Sequence, residues 1–340
     1  MPCYHPLLAV QNDLPNENGK HELIFHGKYN PEKAKNYKDA LMIPCGKCIG
    51  CRLDYSRSWA DRMMFELQHT GKGIFLTLTY NDKHIPYGML DNDTDMPLSY
   101  SLDKTDLQKF FKRLRKKFPD TEIRYFACGE YGRSKGSTYR PHYHAIIFGL
   151  SLDDFTMKRF MGTNELGQSY FDIQIIDEAW SIYHKATKEK PAWYDPIGYT
   201  FASDVSWKTC AYVARYVVKK VNADTEDFDM WRNVYPEFIL SSRRPGIGAK
   251  FIEDNAMTFD NQKQLFVEGR RLQLPHFLLE KMALTDPEGY DKLKRERRTF
   301  AEDKMLLELS QTDLDFEELN QVKEEKQIFR GKMLGREKIK

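Results

Sequence analysis

Two histidines stand one residue apart at the head of an otherwise apolar run, "YRPHYHAIIFGL" at 139–150. Side chains alternate faces along a strand, so His142 and His144 point the same way, with Ile146 and Phe148 behind them. Tyr143, Ala145 and Ile147 line the other face, and apolar residues on both faces mark a central, covered strand. One buried histidine is satisfied by ordinary hydrogen bonds. Two on one face each need a partner, and a shared divalent metal serves both. The preceding strand ends in "CGEYG", which makes Glu130 a third candidate ligand on a neighbouring strand. One carboxylate and two imidazoles leave positions open for water and a substrate oxygen, a set suited to Mg2+ or Mn2+. A nucleophilic histidine would be expected on a third alternate position, which is Ile146 here, so the nucleophile belongs elsewhere.

The stretch "AYVARYVVKKV" (211–221) offers one. Tyr212 and Tyr216 are four residues apart and share a helix face, which Thr209, Lys219 and Lys220 extend. Val213, Val217 and Val221 form an adjacent stripe able to grip a sheet. A tyrosine oxygen can attack phosphorus covalently, a metal can polarise the phosphoryl oxygens, and a lysine can offset the developing charge. Lys219 and Lys220 lie three and four residues beyond Tyr216 and would favour its phenolate, which points to Tyr216 as the first nucleophile. The plainer alternative is two amphipathic core tyrosines with wetted hydroxyls.

A third group is "CGKCIGC", which sets Cys45, Cys48 and Cys51 at repeated C-x-x-C spacing. Cys3, or His5, completes a four-ligand structural Zn2+ site. Cys128 and Cys210 read as small core residues.

These groups need elements to hold them. Residues 49–71 read as an amphipathic helix stopped by Gly71, 72–80 as a strand, and 101–118 as a basic helix. Residues 122–132 read as a strand, and 206–221 as the tyrosine helix. That order predicts an α+β domain on a central antiparallel sheet flanked by helices. An N-terminal Cys-rich segment (1–71) precedes the core (72–250), and a charged, helix-prone region (251–340) follows it. The charged region reads as a solvated or packing appendage. Lys+Arg (52) and Asp+Glu (50) nearly cancel, so any nucleic-acid footprint is local. The N-terminus has no signal-peptide pattern and no run is long enough to span a membrane, which predicts a cytoplasmic protein. Candidate phosphate contacts are Arg133, Lys135 and Arg140 beside the histidine strand, and Arg243 and Arg244 in "SSRRPGIG". Trp193, Tyr194 and Trp207 are candidate base-stacking residues.

"RPHYHAIIFG" followed by "YVARYVVKK" resembles the HUH endonuclease superfamily, named for histidine–hydrophobic–histidine. Together with "MPCYHP", "PCGKCIGCR", "GEYG" and "SRRPGIG", it is similar to the rolling-circle replication initiators of small single-stranded DNA phages, the gokushovirus branch of Microviridae. The resemblance spans residues 1 to about 250. It implies an HUH-like fold and a metal-dependent nickase acting on single-stranded or origin DNA. One tyrosine would keep the 5′ phosphate and free a 3′ hydroxyl for synthesis, and the other would cut again so that strands are rejoined. The setting would be the cytoplasm of a host bacterium, with the host replication helicase and polymerase as partners. The alternatives are a relaxase or transposase of the same superfamily, which the tyrosine pair disfavours, and a non-catalytic, zinc-stabilised nucleic-acid-binding protein.

Overall fold

A computed structural model of the chain describes residues 3–17, 21–90, 97–132, 139–163, 167–219, 234–255, 266–267, 269–272 and 274–333. The chain forms two compact units, Met1–Ser56 with Asp286–Lys340, and Arg57–Thr285.

The larger unit is built on a seven-stranded sheet. In spatial order its strands are Phe238–Ser241, Arg124–Tyr131, Pro141–Phe148, Gly73–Thr79, Thr200–Asp204, Ser169–Ile173 and Lys158–Thr163. Every neighbouring pair is antiparallel. The histidine strand Pro141–Phe148 lies inside the sheet, and its alternation divides the core in two. Tyr143, Ala145 and Ile147 join one cluster with Ile74, Leu76, Leu78 and the apolar side of helix Lys104–Lys117. Ile146 and Phe148 join the other with Phe126, Cys128 and the helix Trp207–Lys219. A strand gripped on both faces can hold polar residues only at its end, where the histidines are. Cys128 and Cys210 are buried in the second cluster, as expected of small core residues.

The smaller unit holds a three-stranded antiparallel sheet, His21–Lys28, Leu7–Pro15 and Leu41–Ile43, and the charged helices Pro287–Ser310 and Phe316–Met333. The boundaries at 71 and 250 read from composition are therefore not the structural ones. The first unit boundary lies at Ser56/Arg57, inside helix Ile49–Thr70 and not at 71, and Ile252, Leu278 and Met282 beyond 250 are core residues of the larger unit. The expected stop at Gly71 holds. Its φ of +65° is left-handed, and its N–H closes the helix on the Leu67 carbonyl at 2.8 Å.

Candidate metal and tyrosine site

The register between strands assembles the site. Glu130 lies directly opposite His142, and Cys128 opposite His144. On the other side Thr79 faces His142 and Thr77 faces His144. Glu130 Oε1 is 2.9 Å from His142 Nε2 and 3.0 Å from His144 Nε2. The ligand atoms of these three residues lie within 4.8 Å of one another. Both Nδ1 atoms are occupied from behind: the His142 one meets the Arg140 carbonyl at 3.2 Å, and the His144 one meets Thr77 Oγ1 at 3.0 Å. Partners on Nδ1 fix each ring and leave Nε2 facing the carboxylate, as a metal-binding imidazole requires. The donor set fits a divalent cation. Thr77 was missed in the sequence, although "TLTY" repeats the same two-residue spacing as the histidines.

The tyrosine helix delivers its hydroxyls to this point. Tyr212 Oη is 3.3 Å from His144 Nε2, and the Tyr216 hydroxyl donates to Tyr212 Oη at 2.9 Å. The helix starts on Ser206, whose Oγ accepts from the Thr209 N–H while Thr209 Oγ1 accepts from the Ser206 N–H. Thr209 is thus a buried capping residue rather than part of the reactive face. Burial, with the charge of Glu130 next, pushes the Tyr212 phenol up to about 12, against which the Tyr216 hydroxyl and the Arg215 guanidinium act. The same two causes push Tyr216 higher still, and its hydrogen bonds to Glu130 and Tyr212 add to the effect. Among the described groups, Tyr216 is thus raised more than Tyr212. Lys220 lies outside the described residues, as do Arg133 and Lys135, and the side chain of Lys219 is not described. The cation that does meet the pair is Arg215, with its guanidinium 5.2 Å over the Tyr212 ring.

Other expected phosphate contacts are dispersed. Arg140 is a clamp at the site's edge, bonded to Asp82 at 2.6 Å and to the Tyr80 carbonyl at 3.0 Å. Arg243 and Arg244 are exposed, but they follow Ser241, which pairs with Phe126, whereas Glu130 lies towards the other end of that strand. At about 3.3 Å per residue, some 17 Å of strand separate them from the histidines, so they do not flank the cleft.

In the smaller unit, the Sγ atoms of Cys3, Cys45, Cys48 and Cys51 lie within 4.8 Å of one another. Zn–S bonds of about 2.3 Å in a tetrahedron put sulfurs about 3.8 Å apart, and Cys48 Sγ is 3.9 Å from Cys3 Sγ. Backbone N–H groups point at the sulfurs: Cys45 at Cys3, Cys48 at Cys45, and both Tyr4 and Cys51 at Cys48. Burial raises the Cys48 thiol, but those donors outweigh it and hold it at about 7. Cys51 is pushed up by burial to about 11. The fourth member is Cys3 and not His5, whose Nε2 is 2.5 Å from Glu324. This set also fits a metal ion.

Residues 73–221 match the family described as Replication-associated protein ORF2/G2P. That span runs from the strand beside the histidines through the tyrosine helix, so the part of the chain that carries the site is the part similar to this family of replication-associated proteins. Over its length the chain is 29% identical to Replication-associated protein ORF2 of Spiroplasma virus 4, covering 92% of each. It is also 29% identical to Replication-associated protein VP4 of Bdellovibrio phage phiMH2K, over 81% of this chain and 79% of the relative. Replication-associated protein ORF4 of Chlamydia phage 1 is 26% identical over 72% of this chain. No solved structure matches the chain. Among the described residues, no helix is long and apolar enough to cross a membrane.

Proposed function

We propose that this protein initiates phage DNA replication as an HUH-type endonuclease, nicking single-stranded or origin DNA through a tyrosine and later rejoining strands. One observation carries the reading: Tyr212 Oη lies 3.3 Å from an imidazole nitrogen that, with His142, converges on Glu130 Oε1. In this reading Glu130, His142 and His144 hold Mg2+ or Mn2+, which when bound would act as a Lewis acid on the phosphoryl oxygens. Tyr212 Oη forms the bond to phosphorus, and the bond from phosphorus to the 3′ oxygen breaks. The 5′ phosphate stays on the tyrosine, and the released 3′ hydroxyl primes synthesis. The Tyr216 O–H stabilises the Tyr212 phenolate, and Arg215 offsets its charge. Tyr216 then serves as the second nucleophile, so one DNA end is held while the next is attacked. Lys219 and Lys220, three and four residues beyond it, remain candidates for the phosphate. Cys3, Cys45, Cys48 and Cys51 hold a structural Zn2+. The protein works in the cytoplasm of the host bacterium, with host helicase and polymerase extending the freed end.

The test is incubation of labelled single-stranded DNA with the full chain and Mn2+, followed by denaturing electrophoresis and peptide mass spectrometry. A nucleotide adduct on Tyr212 is the expected product. Binding with no covalent adduct under any divalent metal would leave a non-catalytic DNA-binding protein instead.

A further inference from the structure

Tyr199 is unusual in having a fixed backbone and a free ring. Its carbonyl accepts from the Thr79 N–H at 2.9 Å and from Thr79 Oγ1 at 3.1 Å, and its own N–H donates to Thr79 Oγ1 at 3.2 Å. Gly198 permits this approach, since a Cβ there would lie 1.9 Å from the Thr79 carbonyl oxygen. The Tyr199 side chain is nevertheless 67% exposed. Thr200 pairs with Leu78, so Tyr199 stands opposite Thr79, which itself stands opposite His142. Opposed residues share a face, so Tyr199 projects from the face of the histidines. Two strand spacings of about 4.8 Å put its Cα about 10 Å from that of His142.

An aromatic hairpin leaves the same end of the sheet. Strands Ser181–His184 and Trp193–Pro196 pair only with each other among the described residues. Trp193 is 44% exposed and shares its face of the hairpin with His184, its pairing partner. His184 stacks on Trp193 with centroids 4.3 Å apart and holds the indole in place. Asn81 Nδ2 donates to the Pro196 carbonyl at 2.6 Å, and Lys83 pairs with Asp195, so the loop after strand Gly73–Thr79 ties the hairpin to the site's edge. Arg140 clamps the same loop from the histidine side. The hairpin's tip is basic: Lys185, Lys188 and Lys190 are all exposed.

Exposed rings on a pinned backbone, beside lysines and next to a phosphate-handling centre, match unpaired nucleic acid, whose bases stack while its phosphates meet ammonium groups. We propose that Tyr199 and the Trp193 hairpin form a stacking track for unpaired bases flanking the cleaved phosphate, with Tyr199 taking the nearer base. The proposal rests on the nickase reading for its geometry, but it is tested separately.

Binding of a fluorescent single-stranded oligonucleotide to the full chain is measured by anisotropy with no Mg2+ or Mn2+ added, so that no cleavage occurs while the cysteine site keeps its metal. Tyr199→Ala and Trp193→Ala are each expected to weaken binding about tenfold or more, the scale of one stacked base. Tyr199→Phe, which keeps the ring, should bind as the parent does. The slope of log affinity against log salt should stay unchanged in the ring variants and fall in Lys185→Ala/Lys188→Ala/Lys190→Ala, because only the lysines release counterions. Parental affinity in both Tyr199→Ala and Trp193→Ala would overturn the track, and so would a loss that Tyr199→Phe shares. Ring-dependent binding by a protein that forms no adduct with Mn2+ would keep the track and discard the nickase.

Discussion

Tyr216→Phe separates the two tyrosines most sharply. The substitution deletes one hydroxyl from a residue only 7% exposed and keeps the ring packed in its cluster, so the fold should persist. What is lost is the 2.9 Å hydrogen bond to Tyr212 Oη, the one that bears on the Tyr212 phenolate, together with the contact to Glu130. Without a divalent metal the Tyr212 phenol stands at about 12, where only about one molecule in ten thousand carries its phenolate near pH 8, so the phenolate has to be stabilised for attack. A hydrogen bond to a charged oxygen is worth roughly 1.5–3 kcal/mol, and each 1.36 kcal/mol is a factor of ten. Tyr216→Phe should therefore slow the first adduct roughly 10- to 150-fold without abolishing it. The assay is single-turnover adduct formation on labelled single-stranded DNA with Mn2+, followed above the range where histidine titrates. The logarithm of the rate should climb with pH in both proteins, because attack needs a deprotonated phenol and burial raises that phenol. If Tyr216 attacked first, the same variant would form no first adduct at all. An unchanged rate, a flat pH profile or a wild-type adduct on Tyr216 would refute the argument.

Five further outcomes follow from the geometry. Tyr212→Phe with Tyr216→Phe should form no covalent adduct, as checked by denaturing gel, while still binding DNA. His142→Ala or His144→Ala should abolish cleavage and weaken Mn2+ binding in a direct titration, with the melting temperature little changed. Mutation of a residue that orients a ligand typically costs 10–100-fold in metal affinity, so Thr77→Val should do the same more mildly through the His144 Nδ1 contact. Elemental analysis should find about one zinc per chain, lost together with thermal stability in strong chelator or in Cys48→Ser. Glu66→Ala should cost about 3–5 kcal/mol in denaturant unfolding, because it leaves the Arg124 guanidinium, 5% exposed, without its buried carboxylate.

Much of the site was legible because it rests on short periods. The two-residue repeat of a strand puts His142 and His144 on one face, and the four-residue repeat of a helix puts Tyr212 and Tyr216 on one side. Neither needs knowledge of the rest of the chain. Glu130 was legible because a hairpin connects it to the histidines. What failed depended on register and end. Arg243 and Arg244 follow an edge strand, Phe238–Ser241, whose pairing partner is more than a hundred residues away in sequence, and nothing local says which end of the sheet they reach. Arg215 was overlooked although it stands three residues beyond Tyr212, a neighbour position on a helix, and its guanidinium lies over that ring. Lysines three and four residues on looked like the better cation, but the Lys219 side chain and Lys220 lie outside the described residues, while burial and Glu130, which local spacing does not reveal, raise the Tyr216 phenol.

The same physics explains why the polar groups crowd one end of an apolar strand. A carboxylate only 5% exposed, such as Glu130, is costly unless its charge is answered. The protein answers it with two imidazoles whose other nitrogens are already committed, so neither ring can turn away without breaking a second contact. Glu130 in turn raises both nearby phenols, which keeps the tyrosines protonated while its charge stands alone. A cation held by the same three residues would reverse the sign of that field, since the net charge facing the phenols would change from negative to positive. The arrangement thus ties readiness of the nucleophile to metal occupancy. Glu130→Gln provides the check. Without divalent metal, the ultraviolet phenolate titration of Tyr212 and Tyr216 should move to lower pH, because a raising charge is gone. With Mn2+ present, adduct formation should nevertheless fall, because a ligand is gone. A phenolate titration that stays in place would show that burial alone holds the tyrosines protonated, and the coupling would be withdrawn.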